Sequence, residues 1–405
     1  MVTLLVGGSL LGCLSALAVD RPAQPPAPAG AQAAVGQPIG NRAQALTHSD
    51  TEGLSPERLN ERNKLLAVGE SALAKLQGDA ALQAFERAAL IAHSADTEIA
   101  LVRTYLQSGT YRRALAFSAH TAGAHLDVVD GLALYAWLLH IGGQPGIAKR
   151  LLLEAEARTP GNQLLKSVQR QLQSGSPRAT PDLLTLPHRM APYSSKRTLP
   201  SSARVAGSGL LLQDGRHALV PLSLVPSSGK LWLRNGLGHL VEARLEQRLP
   251  VGVALLRLNQ AMPAIGNMLV SGAKAFPGSV GFTVEYVATS DAAPAWPVLS
   301  SGFLGGESNR AGERKLGIDM PAGPRGGPVF DVGGRLIGLA LPAIAGTPDR
   351  MVSVAELAQA LGTVSGNREA VRLGTSVSTG AIPAAAVDLI YEASLTFTLQ
   401  VITAL

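Results

Sequence analysis

The alternation of apolar and polar positions divides the 405 residues into six segments, each with its own rhythm. Residues 1–19 carry no charged side chain, and Val2 to Val19 form an apolar run of the length a secretory signal or a short membrane anchor needs. Residues 20–55 lose all period and fill with Pro, Ala, Gly and Gln, the composition of a disordered tether. From 56 to 173 short apolar stretches recur at helical spacing between glycine-containing turns. Residues 174–202 are rich in Ser, Pro and Arg and read as a linker. From 203 to 362 brief apolar runs alternate with turn signals such as Asp214-Gly215, the pattern of β-hairpins. Residues 363–405 form a tail, loop-like to Pro383, then a short helix running into the apolar strand Thr396 to Ile402.

The turns of the helical segment repeat. With Gly78-Asp79, Gly109-Thr110 and Gly143-Gln144 in register, Ala114 and Ala148 fall 34 residues apart, Ala155 follows, and Pro160 closes the third unit. Small residues let paired helices approach closely and Pro ends the second helix, so this spacing resembles that of tetratricopeptide repeats. In that family the first helix of each pair lines a concave peptide-binding groove, which the resemblance places at Lys75, Arg103, Gln107, Trp137 and His140. Arg and Trp are the residue types that most often dominate interfaces. Trp137 suits a place between helices equally well.

The strand-rich segment carries a second resemblance. Val205 to Gly215 is similar to the opening hairpin of trypsin-like domains of the bacterial HtrA type, and Gly323-Pro324-Arg325-Gly326-Gly327-Pro328 keeps the frame of that family's nucleophile loop, with Arg325 in place of the serine. Val329 to Leu339 resembles the closing hairpin, and Arg350 to Val354 the last strand before a helix. The family's general-base His falls on Ser223, or on Leu222 without an insertion, and its orienting Asp falls on Gly252. Arg has no lone pair to offer, and neither Ser nor Leu takes a proton at neutral pH. The resemblance therefore implies a pseudoprotease with an oxyanion-type loop at Gly323, Arg325 and Gly326 and no catalytic residues. A relocated triad remains as the alternative, with His217 and His239 as bases and Ser208, Ser300 or Ser301 as hydroxyls. Ile390 to Glu392 followed by Leu399 to Val401 is similar to the helix and strand that open such domains, so either the tail supplies the first barrel strand from the far end of the chain or a further domain was lost downstream.

Composition narrows the function. Hydrophobic residues make up 46% of the chain and charged ones 16%, enough for two folded domains, while 4% aromatics leave the cores to Leu, Val and Ala. The net charge of +6 is scattered, without the basic stripe of a nucleic-acid binder. No HExxH, CxxC, GxxxxGK[ST] or GxGxxG signature suggests a metal, redox or nucleotide cofactor, so none is expected. Cys13, the only cysteine, ends Leu10-Leu11-Gly12-Cys13, which resembles a bacterial lipobox; cleavage after Ala18 is the competing outcome, and the Lys or Arg that usually opens such a signal is missing. The expectation is a multidomain α + β protein, a tetratricopeptide α-solenoid followed by a trypsin-like antiparallel double β-barrel. It is expected in a bacterial cell envelope, lipid-anchored at Cys13, as a non-catalytic scaffold for protein or peptide partners. An active serine endopeptidase and an assembly factor working through the repeats alone are the alternatives.

Overall fold

The structure, a computed structural model, describes residues 51, 53–75, 77–173, 199–263, 268–272, 275–307, 313–320, 325–343, 348–362, 373–377 and 383–404. The apolar leader with Cys13, most of the tether and most of the linker lie outside these residues. Among the described residues no helix is long and apolar enough to cross a membrane.

Six helices pair as three successive hairpins: α1 (Pro56–Ala74) with α2 (Gly78–Ile91), α3 (Ala95–Gln107) with α4 (Tyr111–Ala124), and α5 (Val129–Ile141) with α6 (Pro145–Arg158). A seventh helix, α7 (Gln163–Gln173), packs on the last hairpin. The starts are set locally. Ser55 accepts from the Arg58 amide with Pro56 at the first helical position, and the Asn162 side-chain Oδ1 accepts from the Leu164 and Leu165 amides. The repeated alanines Ala114, Ala148 and Ala155 are buried where helices approach, as is Ala81 in the first hairpin. Polar contacts tie one hairpin to the next: buried Arg62 bonds Ser94 at 2.5 Å, Thr97 at 3.0 Å and also Asp96, while Arg103 forks onto Glu70 at 2.6 and 2.9 Å. A fork of two parallel bonds fixes both distance and orientation.

The rest of the chain forms β1 (Arg204–Leu211), β2 (His217–Pro221), β3 (Lys230–Asn235), β4 (Leu240–Leu249) and β5 (Val253–Leu258), then β6 (Leu269–Ser271), β7 (Val280–Glu285), β8 (Val298–Glu307), β9 (Glu313–Gly317), β10 (Pro328–Phe330), β11 (Leu336–Leu341) and β12 (Arg350–Ser353). After these come α8 (Val354–Gly362), β13 (Thr375–Val377), α9 (Val387–Ser394) and β14 (Thr398–Ala404). Two closed antiparallel barrels result, so a helical region is followed by a double β-barrel, the architecture expected. Around the first the order is β14-β1-β2-β5-β4-β3, and around the second β7-β8-β9-β12-β11-β10. With β14 counted as the first strand of its barrel, both follow the same circuit. Strands β6 and β13 extend the second sheet in parallel from β11.

Of the two fates open to the tail, strand β14 takes the first. It lies between β1 and β3, from Arg204↔Thr403 to Leu210↔Thr398 on one side and from Leu399↔Asn235 to Ala404↔Lys230 on the other. Leu399 and Val401 reach the barrel core beside Leu233, Val220 and Leu256. Its apolar alternation, a liability in an unpaired strand, is spent on closing a barrel.

The barrels dock on the turn edge of the hairpins. Gly109 (φ +75°) and Gly143 (φ +82°), the glycines that mark the repeat in the sequence, leave no room for a side chain: a Cβ would meet Leu237 at 2.3 Å and Leu299 at 2.5 Å. Beside them Tyr111, Trp137, Trp296 and Tyr391 converge. Trp137 stands edge-on to Trp296 at 5.9 Å, Tyr111 edge-on to Tyr391 at 4.6 Å, and Trp296 stacks on Tyr391 at 6.1 Å. Tyr391 donates to the Pro297 carbonyl at 2.8 Å and Tyr111 to that of Leu138 at 2.6 Å, while Glu392 takes the backbone amide and guanidinium of Arg112. Burial pushes both tyrosine hydroxyls far above their ordinary range, so they stay neutral donors.

Trp296→Ala should lower stability by about 3–5 kcal/mol, the usual cost of emptying a buried aromatic site. It should also separate the melting of the hairpins from that of the barrels. Calorimetry that still shows one transition would mean the joint does not couple them.

Candidate functional site

The segments aligned with a protease site come together. Gly326 (φ +145°) lies so close to β1 and β2 that a Cβ there would sit 2.1 Å from the Ser208 carbonyl and 2.8 Å from the Pro221 ring. The Leu222 amide donates to the Gly252 carbonyl at 2.9 Å. Ser223 is exposed on the short 3-10 turn Leu222–Leu224. Gly252 has φ +74°, and a Cβ there would point at Arg350, 3.6 Å from its Nη2. An acidic side chain at this position would meet that guanidinium before it met residue 223.

Arg325 is only 2% exposed. Its Nη1 donates to the Ile318 carbonyl at 3.2 Å, its Nη2 lies 3.1 Å from Glu285 Oε2, and its Nε lies 3.5 Å from Asp349. Glu285, the last residue of β7, is fully buried. Its other oxygen accepts the amides of Gly326 at 3.0 Å and Gly327 at 3.1 Å. The loop therefore spends two N–H groups on an internal carboxylate, and the positive charge of Arg325 balances that carboxylate. Gly323, the other member of the oxyanion-type loop, lies outside the described residues. Nothing in the sequence announced Glu285: it is one acidic residue at the end of an apolar strand, and only the strand register brings it beneath the loop.

An open groove of ≈ 540 Å³ borders this region, lined by Arg204, Val205, Ala206, Ser223, Leu224, Pro226, Ala288, Thr289, Ser290 and Thr403. Three of the five residues considered for a relocated triad are engaged elsewhere. His217 is held between Asp214 at Nδ1 and Glu246, 3.1 Å from Nε2. Buried Ser208 accepts the Tyr286 amide at 2.6 Å, and Ser300 donates to the Met320 sulfur at 3.4 Å. His239 is half-buried near the β3–β4 turn, and burial lowers its pKa; Ser301 is exposed on β8, opposite Phe282.

The positions expected to line a concave groove fare differently from one another. Lys75 is exposed at the end of α1. Arg103 and Gln107 are buried, 8% and 4% exposed, because α3 packs them on the first hairpin: Arg103 holds Glu70, and Gln107 donates to the Leu73 carbonyl at 3.4 Å. Trp137 is fully buried against Trp296, so of its two expected places it takes the one in the core, here at the joint. Half-buried His140 has its pKa lowered by desolvation.

No protein-family profile matches the chain. No curated protein matches it either. Solved structures do: the HtrA-type protease AlgW with decapeptide shares 14% identity at a TM-score of 0.34, over 40% of this chain and 53% of that one. The Rv3671c protease from M. tuberculosis in its active form shares 16% at 0.33, over 46% and 98%, and the inactive form 16% at 0.32, over 41% and 90%. This chain thus spans about half the length of the AlgW chain it matches.

Arg325→Ser should strand the buried Glu285 carboxylate and cost about 3–5 kcal/mol in urea unfolding, the usual penalty for breaking a buried ion pair from one side. Glu285→Gln in the same background should recover part of that loss. Equal destabilisation of the single and double variants would show that the charge of Glu285 is not what Arg325 compensates.

Proposed function

We propose that this protein is a non-catalytic scaffold for peptide or protein partners, in which tetratricopeptide-type hairpins carry a double barrel derived from a trypsin-like serine protease. The observation that carries this reading is the environment of Arg325. A nucleophile must be presented to a substrate carbonyl beside amides left open for the developing oxyanion. Here the side chain in the nucleophile's place is turned inward onto Glu285, whose carboxylate occupies the neighbouring amides. Ser223 and Gly252 offer neither a base nor an orienting carboxylate. The groove beside Ser223 is the surface this reading assigns to a partner, since Arg103, Gln107 and Trp137 are committed to internal contacts. The apolar leader and Cys13 favour work in a bacterial cell envelope with a lipid anchor at that cysteine.

The protein should hydrolyse neither casein nor peptide substrates and should take no label from a serine-reactive fluorophosphonate. Stoichiometric labelling at one defined serine would overturn the proposal and restore the active endopeptidase. Ser223→Trp, at an exposed position, should fill the groove and reduce peptide capture at least tenfold while leaving the melting temperature in place. Capture that persists in this variant would move the binding surface to the hairpins.

A further inference from the structure

We propose that His93, Glu98, His120 and His125 form a binding site for a divalent transition-metal ion of the zinc type, set between the first two helical hairpins. His93 lies in the turn between α2 and α3, Glu98 in the first turn of α3, His120 near the end of α4, and His125 caps that helix. Two pairs of residues, each pair five positions apart in the sequence, thus bring donor atoms to one point. His93 Nε2 stands 2.7 Å from Glu98 Oε1 and 3.0 Å from His120 Nε2, which is itself 3.2 Å from the same Glu98 oxygen. The other Glu98 oxygen stands 3.6 Å from His125 Nε2. One donor atom each from His93, Glu98 and His125 lie within 4.8 Å of one another. A tetrahedral zinc ion with ligands at 2.0–2.1 Å separates its donors by roughly 3.3 Å, so these spacings bracket what the ion requires.

Burial and proton counting favour a metal over a purely hydrogen-bonded cluster. Glu98 is only 3% exposed and His125 8%, whereas the side chains of His93 and His120 are 44% and 54% exposed. The carboxylate and one imidazole therefore form the floor of the site, and the other two imidazoles form its rim. A buried carboxylate needs positive charge or several donors. Each neutral imidazole carries one N–H, and two ring nitrogens facing each other at 3.0 Å can share only one proton between them. At the floor, Glu98 Oε2 and His125 Nε2 face each other with no hydrogen bond to either atom. A cation accepts lone pairs from all of them at once and supplies the missing charge. Nitrogen and oxygen donors without thiolate suit zinc and its neighbours in the first transition row. Three histidines and one glutamate at intervals of 5, 22 and 5 residues match none of the familiar metal-ligand signatures, which is why the chain alone gave no sign of the site.

The site would act as a clasp. It joins the α2–α3 turn to the far end of α4, and Ser94 of the same turn and Asp96 in the first turn of α3 bond Arg62 of α1. It lies in the helical region and shares no residue with the barrel groove, so it stands or falls apart from the proposed scaffold function.

The test uses the untagged full-length protein stripped with a chelator and titrated calorimetrically with Zn²⁺ alone. One equivalent should bind with a Kd of about 1 μM or tighter at pH 7.5, weakening at least tenfold at pH 5.5 as protons compete for the imidazoles. His93→Ala, at an exposed position, and Glu98→Gln, which keeps the shape of the side chain, should each lower affinity at least tenfold and abolish the rise in melting temperature that Zn²⁺ produces. His120→Ala, the most exposed of the set, serves as the second variant should Glu98→Gln unfold, as judged by circular dichroism. Unaltered affinity in both His93→Ala and His120→Ala, binding lost only in Cys13→Ala, or no binding by the wild-type chain would each overturn the proposal.

Discussion

Four aromatic side chains carry the junction on which the architecture turns. The chain holds only three Trp, six Tyr and seven Phe, yet two tryptophans and two tyrosines meet at one place. Neither buried indole N–H has a hydrogen-bond partner, so the tryptophans contribute through ring packing, with the tyrosine hydroxyls supplying the directional bonds. Trp296 leads into β8 of the second barrel, and Tyr391 belongs to the helix that feeds β14 of the first. The hairpins therefore hold both barrels through one cluster. The same packing takes Trp137 away from any partner in a concave groove.

Within the barrels, a buried polar centre lies beside the loop that carries Arg325. Away from water, Glu285 accepts the amides of Gly326 and Gly327 and forms an ion pair with Arg325, and Gly326 permits an approach to Ser208 that no side chain would allow. A buried pair of this kind adds little net stability compared with an apolar replacement, but losing one partner is expensive. The centre thus fixes the loop in one arrangement and leaves the neighbouring groove as the accessible surface.

Local order was legible in the sequence, and long-range partnership was not. Glycines at Gly109 and Gly143 announced the hairpin turns because a positive φ is a local demand that few other residues meet. Asp214-Gly215 announced a strand reversal for the same reason, and the apolar run of Thr396 to Ile402 marked a strand without naming its neighbours. Which side of a helix a partner would cover was hidden. Trp137 and Arg103 sit at offsets where a groove is expected, but what buries them is Trp296 and Glu70, and neither contact follows from spacing. Glu285 lies 40 positions before Arg325, and only the pairing of β7 with β10 puts the two together.

The position of β14 has a consequence for how the molecule is made. Because Arg204 pairs with Thr403, the first barrel closes a loop of roughly 200 residues, and that entropy must be spent before the contacts repay it. During synthesis the hairpins and the second barrel leave the ribosome complete, while β1 and β3 wait with a strand-wide gap between them. Until β14 arrives, both present unpaired backbone edges ready to capture any extended segment nearby. The protein therefore passes through a nascent state in which it resembles a strand receptor, and β14 must win that slot against every competitor in reach.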